Sequence, residues 1–279
     1  MKKILSGAIA LLLATTAANA ADLYQPQPVL DNVPEVEIQQ SSSGWYLRGD
    51  VGYSFNKLRG ARYYQGGFSG NEVDFASSRI DDSFVLGGGV GYQFNNHLRG
   101  DVTFDHLTKT DFRGSTIGVC TGGVVCSSSD AAAFRAYSLM ANIYVDLGTY
   151  AYFTPYVGAG FGASYVKWDR LRNTICDDPG VAGCFTTEHG GKGKWRATAA
   201  LMAGASVDIT CNLKADVGYR FRYVDGGNMF GYADNGGPGR DKGFYSHEAR
   251  VGARYAFGGC EQAQVMEPAE VPMQPPVYK

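Results

Sequence analysis

Along residues 244–257, FYSHEARVGARYAF, the side chains change character at every step. Tyr245, His247, Ala249, Val251, Ala253, Tyr255 and Phe257 fall on one parity, against Ser246, Glu248, Arg250, Gly252, Arg254 and Ala256 on the other. A two-residue period is that of a β-strand, whose successive side chains point to opposite faces. A soluble sheet turns its apolar face to a core. A membrane barrel turns it to lipid and keeps a polar interior.

The same pattern recurs upstream in seven segments: Gly44–Phe55, Phe84–Phe94, Leu98–Leu107, Phe134–Leu147, Pro155–Trp168, Trp195–Ile209 and Leu213–Val224. In the first, Trp45, Leu47, Val51, Tyr53 and Phe55 oppose Arg48, Asp50 and Ser54. In the fifth, Val157, Ala159, Phe161, Ala163 and Tyr165 oppose Gly158, Gly160 and Gly162, which leave interior room for neighbouring side chains. The connections alternate too: 56–83, 108–133, 169–194 and 225–243 are long, whereas 95–97, 148–154 and 210–212 are short. The expected fold is all-β: an eight-stranded antiparallel transmembrane up-and-down β-barrel over 44–257, with long extracellular loops and short periplasmic turns.

The opening MKKILSGAIALLLATTAANA has Lys2 and Lys3, a short apolar run, and small residues at Ala18 and Ala20. It reads as a signal peptide over 1–20, because a spanning helix needs about 20 apolar residues. No later run approaches that length, so any membrane crossing is made by strands. Residues 21–43 read as a Pro/Gln/Ser-rich periplasmic linker and 258–279 as a disordered periplasmic tail. A net charge of −2 with 19% charged residues suggests no nucleic-acid partner.

Eight strands enclose a space that side chains can fill. The inward parity carries Arg48, Asp50, Arg99, Asp101, Asp146, Asp208, Lys214, Asp216, Arg220, Arg222, Glu248, Arg250 and Arg254. Mixed signs allow pairing, so the interior is expected to be a charged plug and not a wide pore. A narrow, low-conductance porin is the other outcome that this filling allows.

The strand order also sorts the six cysteines of an exported chain. Cys120 and Cys126 share the second long loop, and Cys176 and Cys184 share the third. Cys211 precedes the seventh strand and Cys260 follows the eighth, so antiparallel neighbours bring them together at the short-turn end. No spacing suits a structural metal, so none is expected.

Catalysis finds no constellation here. Ser246, His247 and Glu248 alternate faces and cannot form a relay. VGAGFG at 157–162 puts its glycines on one strand face without a following helix, so it is no phosphate cradle. Asp225, Asp234 and Asp241 in 225–243 lack calcium-loop spacing, which leaves a flexible surface loop.

Three stretches carry a family resemblance: TPYVGAGFGASYVK at 154–167, LKADVGYRFRYVDGG at 213–227, and HEARVGARYAF ending at Phe257. They resemble the opacity-like, alphaproteobacterial surface-antigen superfamily of small outer-membrane barrels, over residues 44–257. With no catalytic constellation, the expectation is a non-enzymatic structural surface protein, which the resemblance places in the outer membrane in contact with outer-membrane lipids and lipopolysaccharide. It implies that Tyr255 and Phe257 form the signal read by the outer-membrane assembly machinery, although a tail follows Phe257. Its haemin-binding relatives imply a second reading, a haemin or small-ligand receptor using His106, His189 or a loop tyrosine. Loop aromatics Tyr63, Tyr64, Phe68, Phe230 and Tyr232 are the candidates for host-surface contact, and the tails for peptidoglycan contact. Tyr53, Phe55, Trp168, Trp195 and Tyr245 are expected in the interfacial girdle.

Overall fold

A computed structural model describes residues 44–66, 70–180, 182–233 and 236–258. The expected signal peptide, linker and tail, together with Phe68, Asp234 and Cys260, lie outside the described residues. Eight long strands form the wall: β1 (Gly44–Leu58), β2 (Ser83–Gln93), β3 (Leu98–Ser115), β4 (Val125–Asp146), β5 (Phe153–Trp168), β6 (Gly193–Asp208), β7 (Leu213–Val224) and β8 (Phe244–Ala256). Each pairs antiparallel with its chain neighbour. The ring closes where β8 pairs with β1, in a register that runs from Tyr46↔Ala256 through Val51↔Val251 to Leu58↔Phe244. Closure satisfies the backbone of every strand, which lipid demands because it offers no hydrogen bonds.

The alternation sets the two faces. Leu47, Val51, Val102, Leu139, Ile143, Val157, Leu201, Val217 and Val251 are about half exposed on the outside, an apolar belt too large to be incidental. Aromatic residues bound it. At the short-turn end Trp45 packs on Tyr92, and Tyr255 on Phe257. At the long-loop end Tyr53 packs on Phe55 and Phe84, and Tyr165 on Trp195. Ten residues separate Trp45 from Phe55, about 33 Å along the strand and about 25 Å when tilted by about 40°, which suits a bilayer core.

Two strands outrun their expected limits. β3 continues past Leu107 to Ser115 because a bulge between Leu107 and Thr110 shifts the register. Beyond it Lys109, Asp111 and Arg113 are exposed and Phe112 is buried, so the parity that reads as a strand end is a strand continuing one residue out of phase. β4 begins at Val125 and not near Phe134, since its first turn of sequence, SSSDAAA, carries too little apolar contrast to show a period. Its 22 residues extend about 70 Å, about twice what a tilted strand needs to cross a bilayer.

The long connections are folded. Ala61–Gln65, Glu72–Asp74, Gly227–Phe230 and Gly236–Asp241 form a four-stranded sheet from the first and fourth loops. The flexible loop expected at 225–243 is therefore replaced by a hairpin within that sheet. In the third loop, Leu171–Ile175 pairs with Phe185–His189 and with the upper part of β4.

Interior glycines make room for this wall's large inward side chains. A Cβ on Gly87 would meet the Arg250 guanidinium, and would lie 2.5 Å from Asp105 Oδ1 and 2.8 Å from Asp50 Oδ1. On Gly49 it would meet nothing within 4 Å. Gly87→Val is therefore expected to lower stability by about 1–3 kcal/mol while Gly49→Ala is near neutral. Denaturant unfolding in micelles measures both, and equal effects would refute the packing argument.

Candidate functional site

Each of the thirteen charges expected inside takes part in an ion pair. Nearest the short turns, Lys214 pairs with Asp208 at 2.6 Å at the partly exposed rim. Toward the same end Arg254 meets Asp216 at 2.8 Å, and Arg99 meets Asp146 at 3.0 Å. The Arg99 guanidinium also lies 4.1 Å from the Tyr144 ring centroid and 4.6 Å from that of Tyr156, so two aromatic faces take part of its charge. Arg48 bridges Asp50 at 3.2 Å and Asp101 at 2.9 Å, and donates to Tyr144 Oη at 2.8 Å.

At mid-height the centre is Asp105, which shares the buried parity of Asp101 and Thr103 in β3 but is not among the thirteen. Its carboxylate meets Arg220 at 2.6 Å, Arg250 at 2.7 Å and Arg222 at 3.4 Å. Arg250 also contacts Asp50, and Arg222 meets Glu248 at 3.0 Å. The signal for Asp105 was present, since it shares parity with Asp101 in β3. A second omitted pair, Arg196 with Asp241 at 2.7 Å, joins β6 to the fourth loop, and only the folded loop reveals it.

Above the charges lies an apolar layer that the alternation did not announce. Leu58, Val85, Leu107, Phe112, Phe134, Val166, Trp168, Val224 and Phe244 from the strands meet Phe75, Ile80, Leu171, Met229 and Phe230 from the loops. Trp168, expected in the girdle, is only 2% exposed and packs on Phe134 at 4.8 Å and Phe112 at 5.6 Å. Phe230, expected at the surface, is 3% exposed in the same layer. The inward parity becomes apolar here because loops cover this part of the strands.

The histidines are dispersed. His106 stacks on Tyr137 at 4.7 Å on the outer wall, and His247 accepts or donates a 2.6 Å bond with Tyr219 Oη, also outside. Ser246 and Glu248 are buried while His247 is exposed. Among the described residues no cluster of three metal-ligating side chains occurs. Cys120 is bonded to Cys126 and Cys176 to Cys184. Cys211 is disulfide-bonded, and its expected partner Cys260 lies outside the described residues.

One polar site sits above the apolar layer, where the four long loops converge on a cleft of about 370 Å³. Asp130 of β4 lies in it, 2% exposed, accepting from Asn173 Nδ2 at 2.6 Å and from Ser128 Oγ at 2.9 Å. Burial raises its carboxyl above the ordinary carboxylate value, against the lowering effect of these two donors and of His189. His189 is also buried, bonds Gly231 O through Nδ1 at 3.1 Å and lies 5.0 Å from the Phe230 ring.

Two outcomes follow from these charges. Asp105→Ala leaves three guanidiniums without their shared anion and is expected to cost about 3–5 kcal/mol, read as a lower midpoint of the heat-induced mobility shift of the barrel. Asp130 behaves in the other sense. Its raised carboxyl makes the folded loops most stable below about pH 4, and that contribution is lost as pH rises through the raised value. The titratable groups facing it are His189 and Tyr63. Hydrogen exchange of residues 171–189 should therefore quicken from acid toward neutral pH beyond the intrinsic rate in a His189→Gln background, and Asp130→Asn should flatten the trend.

Comparison with known proteins places this architecture. The family model described as an outer membrane protein beta-barrel domain matches residues 8–257. An uncharacterized protein of Brucella abortus (strain 2308) is 35% identical, over 88% of this chain and 95% of its own length. A candidate adhesin of Rickettsia bellii (strain OSU 85-389) is 26% identical over 77% of this chain and 88% of its own. Among solved structures, the outer membrane protein OprG from Pseudomonas aeruginosa matches with a TM-score of 0.48 at 12% identity, over 78% of this chain and 99% of that one. The barrel and its strand alternation thus have a family: the chain belongs to the outer-membrane β-barrel domain proteins.

Proposed function

We propose that this chain is a structural surface protein of the outer membrane, a surface antigen that adds to envelope integrity and presents a rigid loop head outside the cell. The observation that carries this reading is the double filling of the barrel, with a charge layer through mid-height and an apolar layer above it. Side chains filling both levels support a supporting role over that of a porin. In this reading the long loops are extracellular, the short turns and both termini are periplasmic, and the outer face of Tyr255 and Phe257 serves the assembly machinery. Lipids and lipopolysaccharide surround the apolar belt.

Of the loop aromatics, Phe230 is buried whereas Tyr232 is 46% exposed, so contact with a host surface falls to the loop tips and not to Phe230. The second loop ends in the Cys120–Cys126 hairpin, where Ile117, Val119, Val124 and Val125 are 54%, 73%, 47% and 69% exposed. The disulfide holds this apolar tip in one shape, so little ordering entropy opposes contact. The candidate adhesin from Rickettsia accords with this reading.

Removing whole loops is a poor test, since Phe75, Ile80 and Leu171 seal the barrel. Replacing Ile117, Val119, Val124 and Val125 by serine leaves that seal alone. Cells carrying this variant are expected to bind host-cell surfaces severalfold less than wild type, while both restore detergent resistance to a strain lacking the protein. Unchanged attachment would overturn the contact role. A null strain as resistant as wild type would overturn the envelope role.

A further inference from the structure

The loop cleft contains an electrostatic asymmetry. Seven carboxylates are buried among the described residues: Asp50, Asp101, Asp105, Asp130, Asp146, Asp241 and Glu248. Six meet an arginine within 4 Å. Asp130 meets none, and its partners are a neutral amide and a neutral hydroxyl. Carrying an anion out of water without a counter-cation is unfavourable. The chain spares every other buried acid that cost.

The walls beside Asp130 are aromatic. Tyr63 lies edge-on to Phe75 at 5.2 Å, Phe75 lies 6.3 Å from Phe230, and Phe230 lies 5.0 Å from His189. All of them line the same cleft. Ring faces attract cations, and a carboxylate beside several rings is how proteins hold organic ammonium groups. His189 commits Nδ1 to Gly231 O, so its Nε2 is the edge that can accept a second donor from a ligand. The volume, about 370 Å³, lies within the span of small-molecule sites.

We propose that this cleft binds a small organic cation, an amine with an apolar or aromatic body. The ammonium rests on Asp130 and supplies its missing counter-charge, and the body lies on Phe75 and Phe230. An anionic ligand would meet a buried like charge. The site goes beyond the structural role: Val119 of the second-loop tip lines the same cleft, but the tip supplies neither its anion nor its aromatic floor.

Phenethylammonium and its neutral counterpart 2-phenylethanol test the idea with the full chain refolded in micelles at pH 7.5, affinities being read by calorimetry. The ammonium is expected to bind about tenfold or more tightly than the alcohol, as a charged hydrogen bond requires. Asp130→Asn should abolish that preference and leave the alcohol unaffected, while Tyr63→Leu, at the half-buried rim, should weaken the ammonium severalfold. The proposal is overturned if neither probe binds at millimolar concentration, if both bind alike, or if the preference persists in Asp130→Asn. Should Asp130→Asn fail to show the mobility of a folded barrel, the wild-type comparison and Tyr63→Leu decide the matter.

Discussion

The pairing of β8 with β1 is the contact on which the rest depends. Until Tyr46 to Leu58 lie against Phe244 to Ala256, two strands present open edges, and a bilayer has no water to satisfy them. Once the ring is shut, alternate residues of every strand are committed to a space about eight strands around. That space must be filled from within. The glycine runs of β2 and β5 and the long arginines of β7 and β8 are two halves of one solution, as Gly87 beneath the Arg250 guanidinium shows.

Filling such a space with charge is costly unless each ion finds partners. The lumen meets that condition by sharing: Asp105 serves three arginines, Arg250 reaches two aspartates and Glu248, and Arg99 divides its charge between Asp146 and two tyrosine rings. Higher up the solution changes to dispersion and apolar burial, with Phe134, Trp168 and Phe244 at the centre. The transition coincides with the height at which the loops begin to cover the strands. Asp130 stands beyond that transition, where no arginine reaches, and this is why the cleft differs chemically from the lumen below.

Parts of this molecule were legible in the chain and parts were not. The strand segments and their inward charges followed from a period of two, which depends only on backbone geometry. Asp105 was legible on the same grounds, although its place as the shared anion was not, because that depends on which strands converge. The end of β3 is not legible, since a bulge at Leu107–Thr110 reverses parity, nor is the start of β4, since SSSDAAA has no apolar contrast. The burial of Trp168 and Phe230 is not legible either, because nothing local says that a loop will fold over them.

By itself the sequence determined the barrel, its strand order, its two faces and the mixed charge of its lumen, since each of these follows from local alternation and connection length. Only the tertiary structure decided what the long loops do. Their strands are short, and their pairings join residues as distant as Ala61 and Asp241, so no local period records them. The apolar cap, the Arg196–Asp241 bridge and the cleft around Asp130 exist only when four separate loops meet at one end of the ring.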